Sequence, residues 1–239
     1  MRSTLLLVGE SQDGDRLVGL VQDMAPDVDV VGCRPAAAEQ EIDRLVRTGD
    51  RVVDVVPLVL LAGHHAAIPT AGAVRVARAF GPHPHLIVAA AARVEAVAPR
   101  ERWPQTAVLL VGEAGTDPQA NAEVVKAARL LQEGRSLGTV ETAFCSGAEP
   151  SVAQGLDRAH RLGYDTVVVL AWTLFAGPDT ERIAEQAGCW AADRPDVTVV
   201  LADPIGPGQE LAEVVLERWG ELHTGDLRTN CDACHYREH

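Results

Sequence analysis

Two adjacent imidazoles, His64 and His65, follow an apolar run that ends in Ala62-Gly63. With a carboxylate such as Glu10 they offer nitrogen and oxygen donors to a divalent transition metal and leave coordination positions open, which suits a metal in transit. Glu10 closes the stretch Leu7-Val8-Gly9-Glu10, and a second carboxylate, Glu113, closes the like stretch Leu110-Val111-Gly112-Glu113. A third set of donors stands near the end of the chain in Cys231-Asp232-Ala233-Cys234-His235, followed by His239. This C-x-x-C pair fits one zinc ion with both histidines, or an iron-sulfur cluster shared between two chains that each give two thiolates. The run also has the C-x-x-C-H form of covalent haem attachment, but that chemistry needs export, and the apolar stretch Leu5 to Val8 is far shorter than the core of a signal peptide.

Other motifs read as structure. Neither Gly9 with Gly14 nor Gly112 with Gly115 completes a phosphate-binding or dinucleotide fingerprint, and Glu10 and Glu113 would repel a phosphate. Asp117-Pro118 has the form of a helix start, with the carboxylate capping and proline in the first turn. His83 and His85 sit in the Pro-rich stretch Gly81-Pro82-His83-Pro84-His85 and are expected in a surface loop. Arg75, Arg78 and Arg93 are expected to be solvated helix charges, and Cys33, Cys145 and Cys189 small residues in or near the core.

The elements that must position these groups follow from apolar runs bounded by turn residues. Strands are predicted over Thr4 to Val8, Val28 to Gly32, Arg51 to Leu58, Leu86 to Ala90, Ala107 to Val111, Thr139 to Phe144, Thr166 to Trp172 and Val197 to Ala202. Most are rich in Val and Leu without polar alternation, as strands covered on both faces are. Helices are predicted over Asp15 to Asp23, Ala37 to Arg47, Thr70 to Phe80, Asn121 to Glu133, Ser151 to Leu162, Thr180 to Trp190 and Gly208 to Leu222. Alternation of the two implies a parallel α/β architecture.

The chain repeats itself. Leu7-Val8-Gly9-Glu10 is echoed by Leu110-Val111-Gly112-Glu113, and Val55 to Gly63 by Val169 to Gly177. Two similar flavodoxin-like halves with parallel sheets flanking a cleft are therefore expected, residues 1–100 and 104–222, with Pro99 to Pro104 as a linker and 223–239 as a Cys/His tail. Ligands in such folds collect beyond the carboxyl ends of the strands, where Glu10, His64, His65, Glu113 and Gly177-Pro178 all fall.

Composition bounds the partners. Of 239 residues 47% are hydrophobic and 23% charged, as in ordinary globular proteins. Lys and Arg total 21 against 34 Asp and Glu, a net charge of -13, which argues against nucleic acid or an anionic membrane surface as partner. Lys126 is the single lysine, so nearly every cation is a guanidinium, the group best suited to gripping carboxylates in pairs. No apolar stretch reaches the ~18 residues of a membrane span. Five cysteines, an odd number, speak against a disulfide framework, and a cytoplasmic location is expected.

Four motifs in order resemble the class II tetrapyrrole chelatases: Gly9-Glu10-Ser11, the run Val55 to His65, Asp117-Pro118-Gln119-Ala120-Asn121-Ala122-Glu123, and Ala148-Glu149-Pro150-Ser151-Val152. The likeness is to the two-halved sirohydrochlorin chelatases and spans most of residues 4–222. It implies insertion of Co²⁺, slightly favoured, or Fe²⁺ into a tetrapyrrole, with His65 as principal metal ligand and base, Glu10 assisting, and His64 and Glu113 as further donors. In that family a histidine stands where this chain has Glu10, and Pro178-Asp179 stands where a histidine might in the second half. The substitution keeps open a non-catalytic metal or tetrapyrrole carrier. The stretch Asn230 to Arg237 is similar to the Cys-containing tail of some members, for which the resemblance implies an iron-sulfur cluster at Cys231 and Cys234 and a possible homodimer through the tail.

Overall fold

The computed structural model describes residues 4–10, 13–48, 52–61, 74–113 and 118–225. Among the described residues eight parallel strands are divided between two four-stranded sheets. The first contains β1 (Thr4–Val8), β2 (Asp29–Cys33), β3 (Val53–Pro57) and β4 (Val74–Val76), in the order β2-β1-β3-β4. The second contains β5 (Ala107–Gly112), β6 (Thr139–Phe144), β7 (Thr166–Ala171) and β8 (Thr198–Ala202), in the order β6-β5-β7-β8. Helices α1 (Asp13–Met24), α2 (Ala38–Thr48), α3 (Pro84–Val97), α4 (Pro118–Gln132), α5 (Val152–Arg161), α6 (Pro178–Ala192) and α7 (Gln209–Thr224) cover them. The central strands β1, β3 and β5 are buried along their whole length, which is why their sequences are apolar without alternation.

The chain forms two compact units, one from the chain up to His83 together with the segment from Ala212 onward, the other Pro84–Leu211. These units and the sequence halves 1–100 and 104–222 divide the chain differently. Helix α3 packs on β7, β8 and α4, whereas α7 is bonded to β3 through the Trp219 side chain on Asp54 and to β4 through the Leu222 carbonyl, which accepts from Arg75. In the first unit Leu6, Val8, Ala38, Ile42, Leu45, Val53 and Val55 form one core cluster. In the second, Leu109, Val111, Val169, Leu156, Ile183 and Trp190 belong to another.

Two predicted elements change type. Leu86 to Ala90, expected as a strand, lies inside α3, where Leu86, Ile87, Ala89, Ala90, Ala91 and Val94 are all buried. An apolar run covered on most sides has the same pattern in a strand and in a buried helix, and here the alanines and Pro84 at the helix start favour the helix. Conversely, the helix expected over Thr70 to Phe80 is replaced where described by β4, which pairs with β3 through Val53↔Val74, Asp54↔Arg75 and Val55↔Val76. Val74 and Val76 pack on the core cluster, a period of two that suits stiff β-branched side chains.

Pro99 to Pro104, expected as a linker, is exposed except at Trp103. Residues Arg100–Gln105 form a 3-10 helix, and Trp103, 4% exposed, donates its indole N–H to the Ala98 carbonyl at 2.8 Å. Cys145 is buried and Cys33 half-buried as expected, but Cys189 is exposed on α6. Among the described residues no helix is long and apolar enough to cross a membrane.

Candidate active site

Each sheet has a point at which the chain leaves its first strand to one side and later returns on the other. In the first unit it lies between β1 and β3, in the second between β5 and β7. Side chains beyond the carboxyl ends of such strands face a ready-made crevice. Glu10 stands there two residues past β1, exposed, and Glu113 stands directly after β5 in the other unit, also exposed. His64 and His65 lie in residues 62–73, outside the described residues, as do Cys231, Cys234, His235 and His239. Among the described residues no group of three or more His, Cys, Asp or Glu side chains is placed to hold a metal ion.

The glycines before the two carboxylates serve packing. A Cβ on Gly9 would stand 2.9 Å from Leu58 Cδ1, and one on Gly112 would stand 2.7 and 2.9 Å from the methyls of Val124. The backbone is fixed as well: Gly9 donates to the Cys33 carbonyl at 3.0 Å and Leu58 to that of Val8 at 2.8 Å. The motif Ala148 to Val152 is likewise structural where it meets α5, since Ser151 caps the helix and exchanges hydrogen bonds with Gln154. Asp179, at the start of α6, accepts from Arg182 Nη1 at 3.0 Å. Burial, and secondarily Asp179, push the Cys145 thiol up.

A polar ladder runs along α7, and sequence reasoning missed it. Asp54, 0% exposed within the buried strand β3, accepts both arms of Arg75 at 2.6 and 2.9 Å. The indole N–H of Trp219 reaches it at 2.9 Å, and His223 Nε2 stands 2.9 Å away. Arg78 grips Glu221 with two bonds of 3.0 and 2.7 Å. His83, 6% exposed, has Nε2 2.8 Å from Glu217. Arg218, 1% exposed, donates to Glu221 at 2.9 Å and to the Phe80 carbonyl at 2.8 Å. Burial pushes its guanidinium down, Arg78 adds to this, and Glu221 and Glu217 oppose it.

Several expectations are corrected here. His83 is an interior residue, because a carboxylate on α7 receives its ring. Arg75 and Arg78 are ion-paired rather than solvated, and Arg93 donates twice to the Ile205 carbonyl, at 3.1 and 2.7 Å. The signal available in sequence was Asp54 itself, a charge inside Val-Val-Asp-Val-Val-Pro, since a buried carboxylate demands partners.

The architecture, a duplicated all-parallel α/β fold with carboxylates at both switch points, agrees with three comparisons. The CbiX family model matches residues 107–222. A sirohydrochlorin cobaltochelatase of Priestia megaterium is 30% identical over 212 residues, covering 83% of this chain and 69% of that protein. A sirohydrochlorin ferrochelatase of the same organism is 26% identical over 189 residues, covering 74% of this chain and 70% of that one. The solved structure of SirB from Bacillus subtilis with Fe³⁺ superposes with a TM-score of 0.77 at 19% identity, covering 94% of this chain and 97% of that one, and so shares the fold. The chain belongs to the class II tetrapyrrole chelatases, in the sirohydrochlorin chelatase family.

Proposed function

We propose that the protein is a sirohydrochlorin chelatase that inserts a divalent metal, Co²⁺ in preference to Fe²⁺, into its tetrapyrrole substrate. The observation that carries this is the 30% identity over 212 residues to a sirohydrochlorin cobaltochelatase. Insertion replaces two pyrrole N–H protons by the metal, so a site must take up two protons while the ion sheds water. In this reading His65 is the principal ligand and base, Glu10 assists at the end of β1, and His64 and Glu113 are secondary donors. The first half, residues 1–100, carries the metal-site loops, residues 104–222 are the second α/β half, and the chain works in the cytoplasm.

Purified protein with metal-free sirohydrochlorin and either ion tests the function. Loss of the free-base absorption is expected faster than without protein, most of all with Co²⁺. Glu10, where the family has a histidine, favours one rival, a carrier that binds metal and macrocycle without accelerating their combination. Equal rates with and without protein for both metals would remove the enzyme reading, and binding of both metal and macrocycle would then support the carrier.

For the tail, residues 223–239, Cys231 and Cys234 bind a metal centre apart from the site of insertion. Two thiolates fall short of the four that a cluster usually takes, so an iron-sulfur cluster bridging a homodimer is the favoured form. Mononuclear zinc with His235 and His239 is the form expected if each chain binds one ion by itself.

A further inference from the structure

Sirohydrochlorin carries acid side chains, and this chain has a net charge of -13. Cations standing close to the site must therefore supply an attraction that the overall field opposes. In the first unit Arg44, Arg47, Arg75, Arg78 and Arg218 are each paired with a carboxylate of the same unit. Among the described residues Arg16 and Arg34 are the two that are not. Both are exposed, and neither makes an ion pair or a side-chain hydrogen bond.

These two stand at the carboxyl end of the first sheet. Arg34 directly follows β2, whose last residue, Cys33, lies opposite Val8 and accepts from the Gly9 N–H at 3.0 Å. Its own backbone is held, since Ala37 donates to the Arg34 carbonyl at 2.9 Å and Pro35 comes next. Helix α1 leads from the carboxyl end of β1 back to the amino end of the parallel strand β2, so its first turn, with Arg16, lies at the same end as Arg34. One contact sets their level: a Cβ on Gly32 would stand 2.9 Å from Val18 Cγ2. Arg16 is two residues before Val18, roughly 3 Å further toward the carboxyl end. Arg34 is two residues after Gly32, roughly 6–7 Å further the same way. Glu10, exposed, follows Gly9 on the adjoining strand.

We propose that Arg16 and Arg34 are specificity-determining residues that bind carboxylates of the tetrapyrrole at the rim of the first sheet, beside Glu10. The inference rests on the reading of the protein as a sirohydrochlorin chelatase. A guanidinium offers a planar fork matched to a carboxylate, so lysine at either position keeps the charge but loses the paired grip.

Metal-free sirohydrochlorin is titrated into the full chain without metal, and its Kd is read from the change in absorption. The proteins compared are the wild type, Arg16→Gln, Arg34→Gln, the double variant, Arg34→Lys and a charge control, Arg47→Gln, in the last turn of α2 at the opposite end of the sheet. Arg16→Gln and Arg34→Gln are each expected to raise Kd about fivefold, the upper range for an exposed ion pair. The double variant should raise it more than either, and Arg34→Lys less than Arg34→Gln. Added salt should weaken binding by the wild type more than by the double variant. Urea midpoints of the rim variants should match the wild type, since neither side chain has a partner to lose. An unchanged Kd in the double variant overturns the proposal while the chelatase reading stands. So does an equal rise with Arg47→Gln, which would trace the effect to net charge. A wild type that does not bind sirohydrochlorin removes the chelatase reading first, and the proposal with it.

Discussion

Trp172 donates its backbone N–H to the carbonyl of Val111 at 2.7 Å, one residue beyond the end of β7. The same bond joins Leu58 to Val8 at 2.8 Å in the other unit. Val8 and Val111 are matched positions of one repeat, and Leu58 and Trp172 are matched positions of the other. Two separate sequence likenesses thus meet at a single bond that occurs once in each sheet. The duplication therefore fixes backbone geometry beside Glu10 and Glu113, although the residues that follow β3 and β7 have diverged.

If the glycines before those carboxylates serve packing, alanine there acts on stability. Gly112→Ala places a methyl against Val124, whose branched side chain has little freedom to move, and should cost about 1–3 kcal/mol. Gly9→Ala meets Leu58 both at Cδ1, 2.9 Å away, and at Cβ, 3.0 Å away; the Cβ is fixed to the backbone and cannot swing aside, so a cost of similar size is expected. Urea denaturation checks both. An unchanged midpoint accompanied by lost metal or tetrapyrrole binding would make these glycines part of a ligand cradle instead.

The two histidines should separate on substitution. His65→Ala is expected to lower the insertion rate by ~10²-fold or more, the usual worth of a general base, and Glu10→Gln by less. His64→Ala should do least. Small and equal losses at both histidines would show that neither binds the metal.

Asp54→Asn removes the charge that Arg75, Trp219 and His223 share. Breaking a buried ion pair typically costs about 3–5 kcal/mol, and the lower end is expected because Arg75 keeps partial contact with water, at 38% exposure. Thermal and chemical denaturation measure this. An effect below about 0.5 kcal/mol, the level of an ordinary surface change, would mean that the network contributes no stability.

The internal thiols give a pH dependence with a definite sign. Burial raises both Cys145 and Cys33 above the ordinary value of 9.0. Below that value the folded and unfolded forms are both protonated, and no stability is lost. Above it the unfolded chain ionises first, so stability should fall with rising pH until the buried thiols ionise too. Cys145→Ala should flatten this alkaline decline, as followed by melting temperature between neutral pH and pH of about 10. In a Cys231→Ser/Cys234→Ser background a thiol reagent should modify Cys189 well before Cys145. Equal rates would contradict the burial.

That double variant also tests the tail. After anaerobic purification the wild type should be brown and dimeric, and the variant colourless and shifted toward monomer while still inserting metal. A colourless, metal-free, dimeric wild type would rule out the bridging cluster. Zinc at one equivalent per chain would place the ion with His235 and His239.

Much of the fold could be read from sequence because buried parallel strands leave uninterrupted Val and Leu runs, and Gly-Glu ends marked where two of them stop. The pattern failed at Leu86 to Ala90, where a helix covered on most sides loses its polar face, and at Val74 to Val76, where three residues carry too little periodicity to outweigh flanking alanines. The carboxyl-end location of Glu10 and Glu113 followed from topology alone. The ladder on α7 did not, since His83 and Glu217 are separated by 134 positions and no local spacing relates them. A buried arginine and a solvated one look identical until the partner helix is in place.

The exchange of helices has a consequence for cutting or splitting the gene. A fragment ending near residue 100 would keep β3 and β4 but lose α7, leaving Asp54 without Trp219 and His223, and His83 without Glu217. A fragment beginning near residue 104 would lose α3 and bare the side of β7 and β8 that it covers. Neither sequence half is thus a self-sufficient folding module, although each encodes a full sheet. Two such fragments should be insoluble apart and should regain structure only when expressed together, so that the duplicated halves now depend on each other for a helix apiece.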